Sequence, residues 1–307
     1  MAPPSPDFEK SFWRFEKILH NLERVVTSWF TTPLVLLIIR SIFLTYSLIT
    51  LALSIYVEFG RGRLHTYLTY FANLGFIGLT VYFAVAVVHS LIFVIYDEPK
   101  SLSTQPRALT IAFWILYDVV VVYHILIPIF YWAILVPSRI EEFNSSPPLL
   151  TFHEISIHSV DLFMIIVEVV LSRMPLVSSH LIFVLTILIF YLFETWISYA
   201  INNTFPYRFL DWREGQKVAG YYFGVMGIAI NAFLIQKLIH MIRDVIGRRT
   251  WRKGLMHEME GYPRAGGNRS QQSSVGRSRS RGIVVRSPAN EISTCTCTDE
   301  IEMQARA

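Results

Sequence analysis

The chain has 307 residues, 53% of them hydrophobic and 16% charged, with a net charge of +4. An ordinary soluble domain carries roughly 25% charged residues. That shortfall, with a mean hydropathy of +0.43, excludes a soluble enzyme, a disordered protein or a nucleic-acid module as the main body and predicts a chain whose solvent is lipid. The basic excess sits at the end: residues 244–307 hold 11 Lys/Arg against 7 Asp/Glu, and the rest is balanced. The pI of 9.0 therefore implies no nucleic-acid partner.

The chain order begins with an amphipathic pattern over residues 1–32. Phe8, Phe12, Phe15, Leu19, Leu22, Val26 and Trp29 recur at three- and four-residue steps, with Glu9, Lys10, Glu16, Lys17, Glu23 and Arg24 between them. The spacing predicts a helix lying in the membrane interface and leading into the first span; a soluble helix packed on the bundle is the alternative. No cleavable signal peptide precedes it. Six apolar runs follow, at about 33–58, 67–96, 108–136, 155–171, 176–200 and 219–241. A spanning helix needs about 20 mostly apolar residues, and strand alternation is absent. The expected fold is an all-α, polytopic bundle of six transmembrane helices over residues 33–243, with the short fourth run the least typical span.

With six spans both termini share one side. Twelve basic residues near helix ends, from Lys10 and Arg14 to Arg252 and Lys253, fall on that side against six on the other, among them Arg61, Arg63 and Arg139. The positive-inside rule then predicts cytosolic termini, in a multi-pass protein of the endoplasmic reticulum or plasma membrane. Two sequons, Asn144-Ser-Ser and Asn202-Asn-Thr, fall on the opposite side. The third region, 244–307, reads as a disordered cytosolic tail, with Gly, Ser, Arg and Gln concentrated over 262–290. Its serines suit phosphorylation. Arg248, Arg249, Arg252 and Lys253, beside Trp251, suit anionic lipid headgroups or merely fix topology. The only cysteines, Cys295 and Cys297, lie in this tail, so the membrane region has no disulfide or Cys-based metal site.

Ionisable side chains within apolar runs mark cavities or buried partners. Here they are Arg40, His89, Asp118, His124, His158, Asp161, Glu168 and Glu194. His158, Asp161 and Glu168 fall within about 80° on one helix face at 100° per residue. Thr69, Asn73 and Thr80 share a face on the second span, and Tyr191, Glu194, Ser198 and Asn202 on the fifth. Thr69, His158, Tyr207 and Asp211 lie near one membrane end. A threonine hydroxyl becomes a nucleophile when a base takes its proton, a neutral imidazole is such a base, and Asp161, one turn from His158, is placed to orient it. The pattern thus permits an intramembrane Thr–His acyl transferase or hydrolase needing no metal or cofactor. A helix cap for Thr69 and helix-to-helix bonding for His158 are the structural alternatives. Asp118 and Glu194 are expected to pair with Arg40 or a histidine, and His124-x3-Pro128 to mark a kink.

At these residues the chain resembles a known family. Tyr67-Leu-Thr-Tyr-Phe71 is similar to the aromatic-Leu-Thr-Phe segment that opens the second span in the androgen-induced-gene family of membrane hydrolases, which cleave fatty-acid esters of hydroxy fatty acids with a threonine and a histidine. That family's second histidine is followed after ten residues by Glu, as His158 is by Glu168, and its aromatic-Tyr-Pro-x-Leu-acid segment resembles Pro206-Tyr-Arg-Phe-Leu-Asp211. Here His153 and His158 are two residues further apart than their counterparts. The chain also resembles the rolling-stone-like proteins, through Leu68-Thr-Tyr-Phe-Ala-Asn-Leu-Gly75, His158-Ser-Val160 and Leu210-Asp-Trp212. The first resemblance implies a lipid-ester hydrolase with Thr69 as nucleophile and His158 as base; on that reading Asp161 supports the histidine, and Asn73, Tyr207 and Glu168 are the candidates to contact the substrate. The second implies a non-enzymatic membrane scaffold acting in fusion or partner assembly. A transporter or proton relay through Asp118, Asp161, Glu168 and Glu194 is the third reading, although no internal repeat supports it.

Overall fold

The computed structural model describes Leu19 and residues 21–261, with only the backbone described over 251–261. Most of the expected interfacial helix and all of 262–307 lie outside the described residues. Among the described residues the fold is all-helical; an isolated bridge between Ser28 and Ser172 is the one β-type pairing. Five helices are long and apolar enough to cross a membrane: α1 Pro33–Gly60, α2 Phe71–Tyr96, α3 Arg107–Ser138, α5 Ser178–Asn202 and α6, whose spanning part is Lys217–Thr250.

Local chemistry sets the ends. Pro33 starts α1 with its φ already helical, and the Thr32 hydroxyl caps the Val35 amide at 3.4 Å. α2 and α5 both stop on a left-handed residue, Asp97 and Asn203, each at φ 55°; short Asx side chains tolerate this conformation best after glycine. Pro128 lies inside α3, and the helix then widens into a π turn at Tyr131–Leu135. A proline lacks the amide that would bond four residues back, so loosened turns beside it are expected.

The expected fourth span is built differently from the others. Helix α4, residues 148–171, runs without a break from Pro148–Ile155 through a π turn, Ser156–Val160, into Asp161–Leu171. It is not among the five apolar crossings. The reason is its polar load: His153, His158, Asp161 and Glu168 are all buried in the protein, so other helices rather than lipid surround its polar side.

Three boundaries differ from the sequence reading. The second span begins at Phe71 rather than Tyr67, leaving Thr69 in a 3-10 turn, Leu64–Thr69, outside the helix. The last helix does not yield to a tail at 244 but continues to Gly261. Between Asn21 and Thr32 the chain forms a short 3-10 turn, Leu22–Val25, instead of one amphipathic helix. Val26, a member of the expected stripe, is fully buried in the main core together with Val25, Phe76, Phe83, Trp114 and Met164, so at this position the apolar side chain packs on the bundle. A second cluster joins α3, α5 and α6 through Tyr123, Leu126, Val184, Leu188 and Phe233.

Candidate active site

Two π turns face each other at His158. The turn Ser156–Val160 carries the histidine, and the turn Tyr131–Leu135 carries Tyr131. The rings stack with centroids 3.6 Å apart and planes 12° from parallel. The Trp132 indole donates to the His158 carbonyl at 3.2 Å and to the Ser159 hydroxyl at 2.9 Å, holding part of the widened turn. π turns in α-helices recur at functional sites because they re-aim one side chain. The imidazole is buried at 6% exposure. Its Nε2 lies 3.6 Å from Glu154 Oε2, and its Nδ1 has no hydrogen-bond partner.

His158 lines a cavity of about 110 Å³ whose other walls include Phe71, Leu126, Phe130, Tyr131, Leu188, Tyr191, Tyr207 and Met226. That is several times the space one water needs, and almost all of the wall is apolar. Tyr207 comes from the 203–216 connection. Its ring stacks on Phe209 at 5.2 Å and meets Tyr70 edge-on at 6.0 Å. Its hydroxyl is set against the first backbone amides of α2, at Phe71 and Ala72, and beside Tyr191; burial pushes the phenol above its ordinary value.

Thr69 is next to this cavity by its backbone, not by its hydroxyl. The Tyr191 hydroxyl donates to the Thr69 carbonyl at 2.8 Å. The Thr69 hydroxyl donates to the Thr66 carbonyl at 2.7 Å, and Thr69 is not among the residues lining the cavity. No hydrogen bond joins Thr69 and His158. Tyr207 is thus brought to the histidine's cavity, whereas the threonine hydroxyl is turned into its own 3-10 turn.

The remaining expected site residues are used elsewhere. Asp161 does not face His158: its Oδ1 accepts from the Leu162 amide at 2.7 Å, and its Oδ2 lies 3.8 Å from His124 Nε2. One turn of separation put the two residues on one stripe, but the π turn between them adds a residue and rotates Asp161 toward α3. Glu168 is not available to a substrate. It forms a two-pronged ion pair with Arg40, at 2.5 and 3.1 Å, and accepts from the Tyr82 hydroxyl at 2.8 Å, with Arg40 and Glu168 fully buried. Asn73 ties the first turn of α2 to the preceding turn by donating to the Tyr67 carbonyl at 2.9 Å. Asp211 is bound by Arg213 at 2.6 Å on the surface, which holds its carboxyl below the ordinary value.

Asp118 pairs with His180 at 2.6 Å and accepts from Gln236 at 3.1 Å; Arg40 takes Glu168 instead. Among the acids of the proposed relay, Glu168 and Asp118 are therefore closed into local networks. Arg248 lies within 3.8 Å of Asp244, whereas Arg252 and Lys253 fall where only the backbone is described. Among the described residues no group of three His, Cys, Asp or Glu side chains gathers to hold a metal ion. The sequence reading missed Tyr131 and Glu154. The available signals were Pro128 just before one π turn and the four-residue step from Glu154 to His158.

Comparison with protein-family models, curated proteins and solved structures finds no match for this chain.

Proposed function

We propose that this chain is a six-span membrane hydrolase of lipid esters, with 148–171 as the sixth crossing, both termini cytosolic, and Thr69 and His158 as the reacting pair. The observation that carries the reading is the buried His158, with an unpartnered Nδ1, on the wall of an apolar cavity that abuts the Thr69 backbone through Tyr191. An apolar chamber with a few polar groups suits the acyl part of an ester.

In the reaction, rotation about χ1 releases the Thr69 hydroxyl from the Thr66 carbonyl and turns it to the ester. His158 takes the hydroxyl proton as the Thr69 oxygen attacks the carbonyl carbon, then gives that proton to the leaving alcohol. Water activated by His158 cleaves the acyl-threonine ester, releasing the acid and restoring both side chains. Tyr207 is the group best placed to orient the substrate. Glu168 and Asp161 act structurally, on Arg40 and His124.

The test is labelling of the membrane-embedded protein with a fluorophosphonate probe, beside hydrolysis of a long-chain ester. Thr69→Ala and His158→Ala should each lose labelling and turnover at normal abundance, and Thr69→Ser should retain part of both. Unchanged labelling in Thr69→Ala would remove the threonine from the role.

A further inference from the structure

A second hollow lies between α2, α3 and α5. It is a crevice of about 340 Å³, within the range of small-molecule sites, bounded by Leu74, Gly78, Val120, Tyr123, Phe190 and Glu194. Phe71 and Tyr191 line both hollows, and their rings are 4.8 Å apart. Neither Thr69 nor His158 lines the crevice. Its rim includes Leu74, Ile187 and Phe190, which are exposed large hydrophobics on spanning helices, so it faces lipid.

Glu194 is the exceptional wall residue. One carboxyl oxygen, Oε2, is buried with no hydrogen-bond partner, and no Lys or Arg lines the crevice. The other intramembrane acids on α3 and α4 have basic or imidazole neighbours: Asp118 has His180, Asp161 has His124 and Glu168 has Arg40. Of the other ionisable groups in the lining, His124 faces Asp161, and the hydroxyls of Tyr123 and Tyr191 donate to the Val184 and Thr69 carbonyls. A carboxyl left without a donor in an apolar crevice is costly and marks a functional position in a membrane helix. Glu194 stands eight residues before the end of α5, about 12 Å along the helix axis. An ammonium drawn to that depth would carry a large desolvation penalty; an alcohol would not. Gly78 leaves the floor open, since a Cβ there would only touch Val120 at 3.8 Å.

We propose that this crevice binds the hydroxyl group of a membrane lipid, with the alcohol donating to Glu194 and the apolar body lying against α2 and α5. A sterol and a diacylglycerol share that chemistry and differ in rigidity. The full-length protein in membranes is photolabelled with an alkyne-tagged photoreactive sterol or diacylglycerol, and labelled peptides are mapped. Labelling by one of them should fall on the segments around Leu74–Gly78 or Ile187–Glu194, and excess unlabelled alcohol should compete whereas its methyl ether should not. Glu194→Ala should cut labelling by about fivefold or more, the effect of one lost hydrogen bond to a charged or buried group. Glu194→Gln, which still accepts, should keep most of it. Gly78→Leu, which fills the floor, should block it and decides the matter if Glu194→Ala accumulates poorly. Equal competition by the methyl ether, wild-type labelling in Glu194→Ala and Gly78→Leu, or no labelling by either lipid would each overturn the assignment. Ester hydrolysis depending on Thr69 is read separately and bears on neither outcome.

Discussion

The imidazole of His158 lies face to face on the ring of Tyr131, each on its own π turn, 3.6 Å between centroids. The stack fixes the plane of the imidazole, and with it the direction of Nδ1. Removing the ring should therefore act on the chemistry. Tyr131→Ala is expected to lower the rate of fluorophosphonate labelling about tenfold, in the range of lost positioning effects, while Tyr131→Phe keeps the stack and stays near wild type. Equal loss in both would mean that the phenol oxygen, not the stack, matters.

Arg40 and Glu168 form a fully buried pair joining α1 to α4, with Ser90 and Tyr82 completing it from α2. Deleting one partner strands a charge in an apolar interior. Arg40→Met or Glu168→Leu alone should lower stability by about 3–5 kcal/mol, read as a loss of thermal midpoint in detergent. The double substitution should recover most of that loss. If Glu168→Leu leaves stability intact and reduces only turnover, the residue belongs to the substrate after all.

Gly247 on α6 sits under Trp29. A Cβ at this position would run into Trp29 Cγ and lie 2.8 Å from its Cβ, too close to the stem of the side chain for a small rotation to relieve. Gly247→Ala should destabilise by about 1–3 kcal/mol and free the segment before α1 for limited proteolysis. Trp29→Ala in the same chain should relieve the clash. Unchanged proteolysis in Gly247→Ala would show that the contact does not hold the segment.

The connection that carries Tyr207 has its own pH dependence. Asp211 is held below its ordinary value of 3.8 by its hydrogen bonds to Arg213. A carboxyl depressed in the folded state contributes its stabilisation above the unfolded value and loses it as pH falls through the folded one. The contribution should thus be whole at neutral pH and fade below 3.8. Trp212, edge-on to the stacked rings of Tyr199 and Phe205, reports it: its emission should shift on acidification, and Asp211→Asn should remove that transition.

Much of the architecture was legible in the chain. An apolar run of span length and a proline or Asx at its end are local features, and helical hydrogen bonds close within four residues, so α1, α2, α3, α5 and α6 follow from composition. The polar stripe of 148–171 was legible too. Its partners were not, because which acid meets Arg40 depends on how helices 128 residues apart in sequence rotate against each other. The sequence by itself determined a helical chain with segments long and apolar enough to cross a membrane and ionisable groups within them. Only the tertiary structure decided that Glu168 closes on Arg40, that Asp161 turns to His124, that Thr69 stops short of the second helix, and that His158 and Glu194 line two separate hollows. Two π turns account for much of that: each inserts a residue that no hydropathy pattern encodes and so changes the direction of the side chains that follow.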